Sequence, residues 1–274
     1  MSDKITVEHI RSMKGQKKIT ALTAYDYSFA QLLDHGGVDI ILVGDSLGMV
    51  VLGDDSTKNV TMDDMMRHTA AVRKGVTHAL VVTDMPINTF NNPDDAVKNA
   101  KRLIDAGAEA VKIEGNGDLV PVIDAMRTQG IEVMGHVGLT PQTTTEFKVR
   151  GKNKDEAQRI YDDAKLVSRH DVFSLVLECI PSLLAQCITH DVSIPTIGIG
   201  AGAQVDGQIL VMHDLLGLYA NIRPKFVTQL ADLSSLVKDS VKQFKSIVEQ
   251  EKFPTKEQSF TMNKEDLPNR EGTK

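Results

Sequence analysis

Short apolar runs alternate with amphipathic stretches along most of the chain. Runs at ITALTA (Ile19–Ala24), IILVG (Ile40–Gly44), LVVT (Leu80–Thr83) and AVKI (Ala110–Ile113) are brief and rich in β-branched residues. Four more follow at EVMG (Glu132–Gly135), FSLVL (Phe173–Leu177), PTIGI (Pro195–Ile199) and ILVM (Ile209–Met212). Their length and composition predict strands. Helical spacing fills most of the intervals. In PDDAVKNAKRLIDAGAE, Ala96, Ala100, Leu103 and Ile104 share one face and Gly107 marks the stop. SFAQLLDHGG closes on a glycine pair.

Strand and helix signals in alternation imply βαβ units and a parallel sheet. Continuous apolar runs such as IILVG suit strands buried on both faces. Eight such units predict an α/β fold, a closed (β/α)8 TIM barrel with additional N- and C-terminal helices. A doubly wound sheet is the alternative. Past the eighth strand, Leu236–Glu251 is amphipathic, with Val237, Val241, Phe244 and Val248 on one stripe. The closing TMNKEDLPNREGTK is polar and without periodicity. The expected organisation is one barrel domain over residues 1–255 and a flexible tail over 256–274.

Composition narrows the function classes. The 274 residues are 41% hydrophobic and 25% charged, an ordinary balance for a globular protein. Acids outnumber bases 37 to 31, giving a net charge of −6 without long one-sign runs, which argues against nucleic acid as the main partner. The N-terminal MSDKITVEHIRSMKGQKK has no apolar signal core, and no run reaches the length of a membrane span. A cytoplasmic protein is expected. Cys179 and Cys187 are too few for a disulfide framework or a four-ligand zinc site and are expected to be buried, reduced thiols.

Four of the strand runs end in an acid: VGDS at Asp45, VTDMP at Asp84, KIEG at Glu114 and VLECIP at Glu178. A fifth, MGHVG, ends at His136. One such acid means little, because helix N-caps favour Asp. Four in a barrel are different, since barrel chemistry sits at the C-terminal strand ends. In AVKIEG, Lys112 and Glu114 share a face of the strand and Ile113 takes the other. Lys112 then points into the barrel mouth, where an ammonium needs a carboxylate, either of the protein or of a substrate. An internal Lys112–Glu114 ion pair is the bland alternative. Asp45, Asp84 and Glu114 are three hard oxygen donors, a set that suits Mg2+ better than zinc; caps and loop ion pairs remain the alternative for each one alone.

The strings TALTAYDYSFA, VGDSLGMVVLGDDST, HTAAVRKG, VKIEG, GHVGLTPQ, VLECIP, IGIGAG and DGQILVMHD, in this order, resemble the ketopantoate hydroxymethyltransferase family over residues 4 to 255. The resemblance implies a Mg2+-dependent barrel enzyme. It would add a one-carbon unit from 5,10-methylenetetrahydrofolate to 3-methyl-2-oxobutanoate, making 2-dehydropantoate (ketopantoate). Position by position, it implies metal coordination by Asp45, Asp84 and Glu114. Keto-acid contacts fall on Asp45, Ser46, Asp84 and Lys112, and the catalytic glutamate on Glu178. It also implies a homo-oligomer, commonly a decamer. His136 either hydrogen-bonds substrate or Glu178 or is a satisfied histidine at the barrel top, and Tyr25 serves packing as readily as function. Cys179, next to Glu178, is expected to point away from the mouth. The segment TTTEFKVRGKNKDEA departs from the family's glycine- and tyrosine-bearing loop but stays basic.

Two other readings compete. Enzymes of the phosphoenolpyruvate mutase and isocitrate lyase group share the fold and Mg2+-bound oxo acids, but the KKCG-like loop of the lyases is absent from this sequence. A non-catalytic barrel binding a carboxylate ligand would bind without Mg2+. The string IGIGAGA fits G-x-G-x-x-A at Gly198, Gly200 and Ala203. No acid-tipped strand follows about 20 residues on, so a tight turn is the expected reading rather than a dinucleotide site.

Overall fold

The computed structural model describes residues 3–144, 146–219 and 224–268. Eight parallel strands close into a barrel in sequence order, with the first paired to the last. They are β1 Ile19–Thr23, β2 Ile40–Val43, β3 Leu80–Asp84 and β4 Ala110–Lys112, then β5 Val133–Gly138, β6 Ser174–Glu178, β7 Thr196–Ile199 and β8 Gly207–Leu210. Around them run α1 Val7–Ser12, α2 Tyr27–His35, α3 Met62–Gly75, α4 Pro93–Asp105 and α5 Val120–Thr128. α6 Lys154–Ser168, α7 Ser182–Asp191, α8 Met212–Leu216 and α9 Leu233–Glu249 complete the set.

Local chemistry sets the helix ends. α4 starts where the Asn92 side chain accepts the Asp95 N–H and Pro93 occupies the first turn. α3 starts in a capping box, with Thr61 and Asp64 each accepting the other's backbone N–H. The apolar faces of the helices then pack on the sheet, with Ala96, Ala100 and Leu103 of α4 buried as their spacing implies.

Two apolar layers follow strand parity. Ile40, Leu42, Leu80, Val82, Ala110, Met134 and Val176 fill the barrel interior, together with Ile5, Val7, Ile10 and Met13 from the N-terminal segment and α1. The neighbouring Ile41, Val43, Val81, Val111, Ile113, Leu175 and Leu177 belong to the layer between sheet and helices. α1 therefore closes the bottom of the barrel, and the top is left for polar side chains.

The structure corrects one expected strand start and adds detail at the β7–β8 connection and at α9. β8 begins at Gly207, two residues before the expected start, because Gly207 packs against the Ile19 backbone and pairs with it. Among the described residues no helix joins β7 to β8; a turn over 200–206 does so, with Gly200 and Gly202 at positive φ. A helix N-terminus to cradle a pyrophosphate is therefore missing from IGIGAGA, in line with the tight-turn reading. The stripe on α9 is exposed, not packed, and none of the helix's residues is buried. Part of the tail expected to be flexible, residues 269–274, lies outside the described residues. Among the described residues no helix is long and apolar enough to cross a membrane.

Candidate active site

The strand register sets the centre of the site. β3 and β4 pair with Asp84 beside Lys112, and parity turns both side chains into the barrel. Lys112 Nζ lies 2.8 Å from Asp84 Oδ1. Lys112 is thus paired across to Asp84, not to Glu114 on its own strand. Burial opposes the charge of Lys112, but Asp84, Glu114 and Asp45 outweigh it and hold the ammonium protonated above its ordinary range. Asp84 Oδ1 accepts no aligned hydrogen bond among the described residues. Asp84 Oδ2 accepts the Asp45 backbone N–H at 3.1 Å.

Asp45 arrives by a turn, not by register. β2 ends at Val43, and the chain turns at 45–46 after Gly44, which brings Asp45 and Ser46 to the cavity. A Cβ on Gly44 would sit 2.9 Å from Ser46 Oγ and 3.5 Å from Asp84 Oδ2, so only glycine leaves those groups in place. Ser46 Oγ in turn hydrogen-bonds the buried Tyr25 hydroxyl at 2.8 Å.

The loop after β5 supplies a residue that no strand-end pattern marked. Gln142 donates its side-chain amide to Asp45 Oδ2 at 2.8 Å and to the Met85 carbonyl at 2.9 Å. Its backbone N–H donates to Glu114 Oε1 at 2.5 Å. Gln142 stands in the GHVGLTPQ string, but a glutamine in a loop carries no periodic signal.

His136, on β5, faces inward between the two glutamates. Its Nε2 is 2.9 Å from the Leu139 carbonyl, so Nε2 carries the proton and donates. Nδ1 is then free to accept from Lys112 Nζ at 3.4 Å. Burial first, and then Lys112, push the imidazole well below its ordinary pKa, which keeps it neutral. Glu114 Oε2 lies 3.5 Å from Nδ1 and Glu178 Oε2 lies 3.4 Å from Nε2. With a neutral ring these are polar contacts, not ion pairs.

Glu178 ends β6 with its side chain 15% exposed. Burial is the main cause that raises its carboxyl to about 8; Asp45 and Asp84 add to the rise and Lys112 opposes it. Burial also raises Asp45 and Glu114, with Asp84 adding to Asp45 and Asp45 adding to Glu114, while Lys112 works against both. Gly138, at φ 104°, lets β5 pass close to β6, since a Cβ there would collide with the Glu178 carbonyl oxygen. The residue after Glu178 departs from expectation. Cys179 sits at φ 47°, which breaks strand alternation, and it lines the cavity rather than facing away. Burial and Glu178 push its thiol up to about 12. Cys187 is exposed on α7, not buried.

Asp45, Ser46, Asp84, Lys112, Glu114, His136 and Glu178 all line one cavity of about 480 Å3 at the C-terminal end of the barrel. Its outer part is apolar, with Met49, Val50, Leu139, Phe147 and Phe226 in the wall. Asp45, Asp84, Glu114 and the half-buried Glu178 crowd round one buried ammonium and a neutral imidazole, and without a cation burial and mutual repulsion favour the protonated forms of Asp45, Glu114 and Glu178. As the side chains stand, no three His, Cys, Asp or Glu groups among the described residues are gathered to hold an ion. The donor chemistry nonetheless suits a hard divalent cation, because Asp45, Asp84 and Glu114 offer carboxylate oxygens alone.

The raised Glu178 carboxyl has a sign for stability. In the cation-free folded protein it keeps its proton to about 8, whereas its ordinary value is 4.5. The folded state therefore binds more protons between those limits, and stability falls as pH rises through the window. Glu178→Gln should gain on the wild type there, by up to ~1.4 kcal/mol per pH unit. Urea unfolding at pH 5 and pH 8 without divalent cations measures this; an equal difference at both pH values would contradict it.

A closed (β/α)8 barrel with acids, a lysine and a histidine converging at the C-terminal strand ends has the site architecture of the barrel enzymes. The chain belongs to the ketopantoate hydroxymethyltransferase family, whose sequence model matches residues 4–256. A 3-methyl-2-oxobutanoate hydroxymethyltransferase of Syntrophus aciditrophicus is 51% identical over 263 residues, covering 94% of this chain and 97% of the relative. The protein of that name from Carboxydothermus hydrogenoformans is 46% identical over 271 residues, 97% of this chain and 98% of the relative. Among solved structures, a phosphonopyruvate hydrolase in complex with oxalate and Mg2+ superposes with a TM-score of 0.63 at 12% identity, over 92% of each chain. 2,3-Dimethylmalate lyase, a member of the PEP mutase/isocitrate lyase superfamily, gives 0.60 at 16% identity over 96% of this chain and 91% of its own. At these identities the structures share the fold.

Proposed function

We propose that this protein transfers a hydroxymethyl unit from 5,10-methylenetetrahydrofolate to 3-methyl-2-oxobutanoate, forming 2-dehydropantoate. The observation that carries the reading is the convergence of Asp45, Asp84, Lys112, Glu114 and Glu178 on one cavity, in a chain whose relatives bear the name of that activity. The balance is simple: C3 of the keto acid loses a proton and bonds to the methylene carbon. Both C–N bonds of that carbon break, water supplies the hydroxyl, and the C3 proton and a proton of that water go to the two folate nitrogens.

Asp45, Asp84 and Glu114 would hold Mg2+. When bound it would supply Lewis-acid stabilisation for charge that develops on the 2-oxo oxygen. Lys112 brings a fixed positive charge to the same oxygens. Ser46, oriented by Tyr25, donates to the substrate carboxylate. Glu178 removes the C3 proton: burial makes it a stronger base than a solvated glutamate, and a pKa near the working pH is where a general base is most effective. Its protonated form then delivers that proton to the departing folate nitrogen. His136, neutral and tethered to the Leu139 carbonyl, spaces Glu114 from Glu178 without adding charge. The apolar outer wall suits the flat rings of a folate.

A homo-oligomer belongs to the same reading. Leu236, Val237, Val241 and Phe244 of α9 are 53% to 60% exposed, an apolar stripe that a second copy would cover. Sedimentation velocity would show a monomer if that were wrong.

The direct test measures 2-dehydropantoate formation from both substrates with Mg2+ supplied or removed by chelation. Product is expected only with the folate, the keto acid and the cation together. Turnover undiminished by chelation would overturn the Mg2+ assignment, and no product under any condition would overturn the activity.

A further inference from the structure

We infer that Gln142 is a positioning residue, which sets the Asp45 and Glu114 carboxylates for a divalent cation through its side-chain amide and its backbone N–H. The inference rests on the proposed function and deepens it.

Gln142 is 2% exposed. A buried amide is costly unless its hydrogen bonds are made, and this one spends both N–H bonds on defined acceptors. One is Asp45 Oδ2 at 2.8 Å, the other the Met85 carbonyl at 2.9 Å. The Met85 bond fixes the amide against the residue that follows Asp84. The Asp45 bond then holds one carboxylate oxygen and leaves its mate for a ligand. At the same residue, the backbone N–H takes Glu114 Oε1. Two of the three acids from separate strands are thus referred to a single loop residue. The loop itself is pinned three residues earlier, where His136 donates to the Leu139 carbonyl.

The residue type matters as much as the place. A lysine at this position would neutralise Asp45 and compete with a cation. A glutamate would repel it. An amide donates without carrying charge, so it orients the carboxylate and leaves its full charge for the ligand. Gln142 and Glu114 also line a second cavity, of about 400 Å3, on the far side. Both amide N–H groups are bonded to Asp45 and to the Met85 carbonyl, which is why we assign the amide to the carboxylates.

Gln142→Met keeps the length, the bulk and the backbone N–H and removes only the amide. Mn2+ added to the purified full-length protein, with free ion followed by electron paramagnetic resonance, reads cation binding without turnover. The dissociation constant for Mn2+ is expected to rise about 10–100-fold, as for partners that orient metal ligands. At a temperature where the variant is fully folded, activity at saturating Mg2+ should approach wild type while the Mg2+ concentration for half-maximal activity rises in step with the Mn2+ dissociation constant, a split that mere loosening of the fold would not produce. Gln142→Asn, which keeps the amide but cannot span Asp45 and Met85 together, should weaken binding in the same direction and serves if the methionine variant does not fold. Mn2+ affinity unchanged in a folded variant, beside a wild type that binds, would overturn the inference and leave the proposed function standing. A wild type that binds no Mn2+ would overturn the inference together with the assignment of a cation to Asp45, Asp84 and Glu114.

Discussion

Glu178→Gln is expected to abolish exchange of the C3 proton of 3-methyl-2-oxobutanoate while leaving the keto acid bound. The substitution keeps the shape of the side chain and removes its basicity. General-base catalysis contributes about 10^2- to 10^4-fold, and the variant should lose that much. Glu178 is well placed for the part. It ends β6 facing the cavity, and burial lifts its carboxyl to about 8. No hydrogen bond from a described residue ties up its carboxylate, and His136 Nε2 lies 3.4 Å from it. Proton NMR in D2O with enzyme and Mg2+ follows the C3 signal directly and needs no folate. Exchange at the wild-type rate in Glu178→Gln would remove Glu178 from the role of base. Loss of exchange together with loss of keto-acid binding would point to a structural role instead.

Lys112→Met should damage the protein in a second way, by unfolding it more readily. Lys112 is 6% exposed and lies 2.8 Å from Asp84 Oδ1. It is the buried cation on which Asp45, Asp84, Glu114 and Glu178 all converge. Breaking one side of a buried pair costs about 3–5 kcal/mol, because the remaining charge has lost its partner. The expected loss in urea unfolding at pH 8 is of that order. It should shrink as pH falls through about 8 and 7, where Glu178 and Asp45 take up protons in place of the ammonium. Added Mg2+ should also recover part of it, since a ligand of the folded state alone stabilises that state. A loss under about 1 kcal/mol at pH 8, in the range of an exposed pair, would mean that the carboxylates are neutralised without Lys112. On the proposed mechanism catalysis should fall as well, since Lys112 would bring the fixed charge beside the 2-oxo oxygen.

Individual residues show how far the pattern could be read. Lys112 and Glu114 are two apart in a strand, so their shared inward face followed from the pleat, and Ile113 went to the outer layer as it had to. The acid at Asp84 needed only the end of an apolar run. Asp45 is a harder case. By parity it should lie with Val43 on the outside, and only the turn at 45–46, after the strand has ended, carries it inward. Cys179 failed for the same reason in reverse: alternation placed it outward, but a left-handed φ of 47° ended the strand pattern one residue early. Gln142 could not have been found from periodicity, because its partners come from the turn after β2, from the residue after β3 and from just beyond β4.

What the amino-acid sequence determined by itself is local and periodic: eight short apolar strands, the helices capped between them, the inward parity of each strand, and the acids at the strand ends. Those follow from steric preference, pleat and capping, which act over a few residues. Only the tertiary structure decided which charges meet. Lys112 faces Asp84 because β3 and β4 pair in one register, and Gln142 joins Asp45 to Glu114 because the loop after β5 folds back across the barrel mouth. Burial at that mouth then sets the protonation of Glu178, and desolvation depends on everything packed around a group, which no string of neighbours along the chain specifies.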